Sequence, residues 1–204
     1  SSLSIANNTE NAYHVLVTAN LSNAALVDGF TIQGGNASFQ TEYAFLIFDE
    51  TQIIHFYGGG MFNRDSSPTI TNVLFLNNSS LDDGGGMYNR SAIDIILTNV
   101  VFSNNVADNG AGMYNRFSVS AKLTNVVFSE NVATTNGGGM YSRDFGGTLV
   151  NVTFSKNSAA NGGGLYTSGS LTGNGALLTN TVFYGNTAGA NASAILGTIS
   201  GAST

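Results

Sequence analysis

The chain has 204 residues, 42% of them apolar and 9% charged, with a formal net charge of −6, only six Lys and Arg, and no cysteine. A chain of this size and apolar content buries a continuous core and is not a disordered polar tract. Its acidic balance denies nucleic-acid backbones and anionic membranes their usual electrostatic attraction, its apolar runs fall short of the roughly 20 residues that span a bilayer, and its fold owes nothing to disulfides.

In chain order, the opening residues from Ser1 carry neither a basic nor an apolar signal-peptide region, so the sequence reads as a mature soluble protein or an excised piece. The first patterned run, Leu26-Val27-Asp28-Gly29-Phe30-Thr31-Ile32-Gln33-Gly34-Gly35-Asn36-Ala37, is strand-like and punctuated by glycine. Residues 37–57 then break the pattern. This insert contains Phe39, Tyr43, Phe45, Phe48, Phe56 and Tyr57, the acids Glu42, Asp49 and Glu50, and His55. It is read as an extra irregular turn or a cap over one end of the fold. The alternative is a protruding aromatic platform that stacks on sugar rings, with Tyr43, Phe45, Phe48, His55 and Tyr57 as its binding residues.

From Gly58 onward the chain repeats. Glycine clusters begin at Gly58, Gly84, Gly110, Gly137 and Gly162, at spacings of 26, 26, 27 and 25 residues. Met61, Met87, Met113, Met140 and Leu165 recur in phase, as do Phe62, Tyr88, Tyr114, Tyr141 and Tyr166. Glycine triplets exclude helical repeats, and the abundance of Val, Thr, Phe, Asn and Gly points to short strands joined at corners. The predicted fold is therefore all-β, a parallel β-helix of about 26 residues per turn and roughly six to seven turns, as one domain over residues 1–204. Strand alternation puts Val100 and Phe102 on one face with their equivalents, so the column Phe75, Phe102, Phe128, Phe154 and Phe183 faces the core. The columns headed by Asn72, Leu74 and Leu76 then form a flat, nearly uncharged outer face. Three residues after each core Phe stands Asn78, Asn105, Asn131, Asn157 or Asn186. These read as structural: asparagines at left-handed corners whose amides stack as a ladder.

Two other columns are candidates for function. Arg64, Arg90, Arg116 and Arg143 share one phase and would repel one another unless solvated or paired, with Asp65, Asp94 and Asp144 as available acids. They are read as a basic stripe for an acidic polysaccharide, as holding an arginine that acts as base as in β-helix lyases, or as a solvated column that pairs with acids and discourages lateral aggregation. Asp82, Asp83 and Asp108 precede successive glycine clusters, and adjacent turns bring Asp82 near Asp108, the one constellation suited to calcium. Against that, Asp83, Asn109, Asn136 and Asn161 read as ordinary Asx-Gly corners. His14 and His55 are far apart in sequence and have no cysteine beside them, which argues against zinc. No other cofactor is implied, and no nucleophile or phosphate-loop motif stands out.

The glycine cluster followed by an apolar residue (Gly84-Gly85-Gly86-Met87), alternating with Phe-x-x-Asn (Phe102 to Asn105), resembles the repeats of chlamydial polymorphic outer-membrane proteins and, more widely, secreted bacterial right-handed β-helix proteins. The resemblance covers residues 24–36 and 58 to about 191. It departs from the pattern at Gln33, where asparagine is expected, and in having a third glycine where the family's motif has another small residue. It implies the right-handed coil, display outside the cell or on its surface, and often adhesion; it implies no catalytic residue. The leading reading is a non-catalytic structural or adhesive module whose partner is a surface glycan, a protein, or further copies or repeats stacked end to end. A carbohydrate-binding or polysaccharide-degrading protein is the alternative. Ice binding by the flat Asn/Val/Ser face comes third, without a Thr-x-Thr array to support it.

Overall fold

The computed structural model describes residues 2–3, 13–38, 45–48, 51–92, 94–117, 120–144, 146–168, 176–189, 195–196 and 199–203. These residues form an all-β parallel solenoid with three sheets running along its axis. A seven-stranded sheet carries the methionines, a twelve-stranded sheet the valines and phenylalanines, and a four-stranded sheet closes the section. The fully regular part is about four turns; further strands at both ends deepen the methionine sheet to seven levels.

One turn shows why the sequence coils. Met87–Arg90 runs in the methionine sheet, Ile96–Ser103 in the twelve-stranded sheet, and Val106–Asn109 in the short sheet. Left-handed residues at Ser91, Asn99, Asn104 and Gly110 bend the chain between and within these strands. The same four places recur through the coil as Asp65/Ser91/Phe117/Asp144, Asn72/Asn99/Asn125/Asn151/Asn180, Asn77/Asn104/Glu130/Lys156/Gly185, and Gly58/Gly84/Gly110/Gly137/Gly162, all with φ between +47° and +68°. Most are Asn, Asp, Ser or Gly, the types that visit this region most readily as single residues.

The core follows the expected columns. Met61, Met87, Met113, Met140 and Leu165 meet Val73, Val100, Val126 and Val152 and the phenylalanines inside the coil. Phe75, Phe102, Phe128, Phe154 and Phe183 stack with centroids 4.7–4.8 Å apart and planes within 6° of parallel. Each fully buried ring contributes about 1.5–3 kcal/mol by leaving water. The third glycine of a cluster is dictated by this packing. A Cβ on Gly112 would lie 2.4 Å from the Gly139 carbonyl oxygen and 2.8 Å from the Phe128 ring.

Asn78, Asn105, Asn131 and Asn157 do form a ladder, and they are buried at 0–1% exposure. The left-handed corner, however, lies one residue earlier, at Asn77, Asn104, Glu130 and Lys156. The ladder asparagine is selected for hydrogen bonding instead. The Asn131 Oδ1 accepts from the backbone N and the Nδ2 of Asn105, while its own Nδ2 donates to Phe102 O and to Asn157 Oδ1. All four valences of the amide are filled without water.

The first turn corrects the sequence alignment. Ile32, not Phe30, pairs with Phe75, and Phe30 is exposed. The asparagine position therefore falls at Gly35 rather than Gln33, and the Gly35 backbone N–H donates to Asn78 Oδ1 at 3.0 Å. Ala37 pairs with Ser80, so the coil continues to the residue at which the insert was predicted to begin.

Candidate functional site

On the methionine sheet, strand alternation sends Met inward, the aromatic outward, Asn inward and Arg outward, in register from turn to turn. The outer face thus carries an aromatic column beside an arginine column. Tyr88, Tyr114, Tyr141 and Tyr166 stack ring on ring with centroids 4.7–5.5 Å apart and planes within 10°. The ring faces are used by their neighbours, and Tyr88 and Tyr114 are buried beneath the covering residues at 0% and 7% exposure. This geometry does not offer the flat ring face on which a sugar stacks.

The described part of the insert packs on this outer face. Phe45–Phe48 and Thr51–Ile54 pair antiparallel as a hairpin, and its second strand with the turn that follows brings Ile53, Ile54 and Tyr57 into one cluster with Phe62, Tyr88 and Tyr114. Tyr57 stacks on Tyr88 at 4.7 Å, and Ile53 is fully buried. One face of the Tyr57 ring is therefore engaged within the stack. Tyr43 lies outside the described residues, and only the backbone is described for Phe45 and Phe48.

The arginines hold their column in strand register from turn to turn. Arg64 pairs with Asp65 at 3.3 Å and donates to Gln52 O of the hairpin at 2.7 Å. Arg116 and Arg143 lie 5.3 and 5.7 Å from the centre of the Phe117 ring, so one aromatic ring attracts two like charges of successive turns. Phe117 occupies a left-handed corner whose equivalents are Asp65, Ser91 and Asp144.

The acids sit where the short sheet turns into the methionine sheet. Asp83 is 6% exposed and accepts from Asn109 Nδ2, which begins a ladder continued by Asn136 and Asn161. The predicted Asx-Gly corners are thus rungs, and the left-handed residue is the glycine that follows. Asp82 does lie against Asp108, whose backbone N donates to Asp82 O at 2.7 Å. The Asp108 carboxylate is occupied by the hydroxyls of Thr134 and Thr135. Burial, followed by the charge of Asp82, pushes the Asp83 carboxyl up to about 7, and burial with Asp108 raises Asp82 as well. Burial, then Asp83, raises the Tyr88 hydroxyl to about 12. Among the described residues no three His, Cys, Asp or Glu side chains converge as a metal site.

Three features escaped the sequence reading. A second buried ladder runs from Asn63 through Asn89 and Asn115 to Ser142; the recurring Met-aromatic-Asn-Arg phase was its available signal. An open groove of about 440 Å³ crosses several turns, lined by Asn23, Asp94, Ile96, Ser120, Lys122 and Thr148 with the Gly146–Gly147 backbone. None of the predicted binding residues lines it. Finally, His14 and His55 are brought together, with ring centroids 6.1 Å apart.

Residues 151–168 match the model of the Chlamydia polymorphic membrane protein repeat. No curated protein and no solved structure matches the chain. The matched segment holds the inward pair Val152 and Phe154, the ladder rung Asn157 and the Gly162 cluster, and the preceding turns superpose the same residues in strand register. The chain is a β-helix repeat protein whose repeats are similar to those of the chlamydial polymorphic membrane proteins.

Proposed function

We propose that this chain is a non-catalytic structural or adhesive module of an extracellular bacterial surface protein. The observation that carries the reading is the match of residues 151–168 to a membrane-protein repeat, within a coil that presents similar side chains from level to level. Such a coil displays long, rigid columns about one strand spacing apart. The outer columns Asn72/Asn99/Asn125/Asn151/Asn180 and Val101/Val127 suit a broad, flat partner surface, and Val106 and Val132 are exposed beside them. The partner is a surface protein or glycan, or further copies of the coil.

The groove supports a second reading. Its hydroxyls and amides, with Lys122 and Asp94, fit an extended carbohydrate chain better than the stacked aromatic column does. The test is a cell-attachment assay on protein-coated beads, a glycan array and sedimentation, each run on the intact chain and on Thr148→Trp, which fills the groove. Attachment retained in Thr148→Trp without a glycan signal supports the protein-adhesive module. Glycan binding lost in Thr148→Trp moves the function to carbohydrate recognition. Concentration-dependent association alone assigns the structural role, and failure of all three readouts overturns the proposal.

A further inference from the structure

We infer that His14 and His55 form a two-imidazole binding site for a borderline divalent cation of the zinc, nickel or copper class. His14 precedes the first strand of the methionine sheet, Leu16–Ala19, and His55 follows the hairpin strand Thr51–Ile54. Docking of the hairpin against the coil joins residues 41 positions apart in the chain. The His14 Nδ1 lies 3.0 Å from Gly58 O, so Nδ1 carries the proton and Nε2 the lone pair. A backbone carbonyl on one ring nitrogen is the arrangement that orients a metal-binding histidine and leaves the other nitrogen free for the cation.

The Nε2 atoms of both His14 and His55 are buried without a hydrogen-bond partner. Two imidazoles bound to one cation at about 2.0–2.1 Å and a tetrahedral angle have ring centres about 5 Å apart, so the observed 6.1 Å closes by about 1 Å on binding. Both rings are held. Tyr13 stacks on His55 at 4.4 Å with planes 9° apart, and His14 lies 5.3 Å from the Phe62 ring. Burial holds both imidazoles below their ordinary pKa, so neither needs to lose a proton to bind at neutral pH. Among the described residues no third His, Cys, Asp or Glu joins them. The cation class follows from the donors, because imidazole suits zinc, nickel and copper, whereas calcium takes oxygen ligands. Occupation of the site would pin the hairpin over the tyrosine column.

The chain has two histidines and no cysteine, which makes the test selective. Zinc is titrated into the intact protein by calorimetry, with the histidine ring nitrogens followed by NMR and calcium as a separate arm. The expected result is one equivalent bound, both Nε2 resonances shifting together, and binding at least tenfold weaker in His55→Ala and in His14→Gln. Circular dichroism of each variant establishes that it is folded, and His55→Ala is decisive because that residue lies on the hairpin rather than in the coil. Absence of zinc binding at millimolar concentration, or binding that survives His55→Ala undiminished, overturns the inference. A calcium response at the histidines does the same.

Discussion

Replacing Asn131 by alanine is expected to destabilise the coil by about 4 kcal/mol, although the change removes only a small polar group. The side chain sits mid-ladder at 0% exposure. Its Oδ1 is the acceptor for the Asn105 backbone N–H at 3.0 Å and the Asn105 Nδ2 at 2.9 Å. Truncation orphans both donors inside the coil, and a buried unsatisfied donor costs about 1–3 kcal/mol. The partners on the other side suffer less, since Asn157 Oδ1 still accepts from the Asn131 backbone N–H. The control is Asn125→Gly on the outer ladder. Asn125 is exposed, has φ +55°, and donates to Asn99 Oδ1; glycine accepts that backbone geometry, so the change should stay within about 0.5 kcal/mol. Urea unfolding followed by far-ultraviolet circular dichroism measures both variants, with an unchanged slope required for comparison. A loss below about 1 kcal/mol for Asn131→Ala would refute the claim that this ladder is an energetic spine.

Asp83→Asn should stabilise the protein at pH 8 by on the order of 1 kcal/mol or more, because the folded Asp83 carboxyl is raised to about 7. A raised carboxyl contributes stability below the ordinary carboxylate range and loses it as pH rises toward 7, so the gain in Asp83→Asn should grow across that interval and then level off. His14 works in the opposite sense: its folded pKa is lowered to about 4, chiefly by burial. Its contribution is present above pH 6.5 and is lost as pH falls toward 4, so thermal melts of His14→Gln should show a flatter acid limb than the wild type. Gly112→Ala should prevent formation of the regular coil, since its Cβ meets the Gly139 carbonyl oxygen at 2.4 Å; a melting temperature within a few degrees of wild type would contradict this packing.

Periodicity made the coil legible. A solenoid places equivalent residues one above another, so Met87 over Met61 and Phe102 over Phe75 were readable as columns before any coordinates. The same logic misplaced the first turn, because Phe30 has the identity of the core ring while Ile32 has its register. Residue identity and strand register diverge where an insert intervenes. The hairpin itself was opaque, since nothing repeats within it and the face it covers is set by Ile53 meeting Phe62 and Tyr88. The approach of His14 to His55 was hidden as well, because a docked hairpin brings together residues that are far apart in the chain. The groove was equally hidden, because Asp94, Ser120 and Gly146 come from corners whose residues vary between turns.

The ladders also have direction. The two inner ones send each amide toward the later turn, as in Asn105 to Asn131 and Asn89 to Asn115. The two outer ones send it toward the earlier turn, as in Asn125 to Asn99 and Asn136 to Asn109. Their side-chain dipoles therefore oppose one another along the axis, and a coil lengthened by one more turn gains little net polarity from them. The outer chains of donors also need a final acceptor at their early end, and there the molecule places Asp28 and Asp83, whose Oδ1 atoms receive the last hydrogen bond. These two carboxylates thus act as terminators that fix where each outer ladder begins.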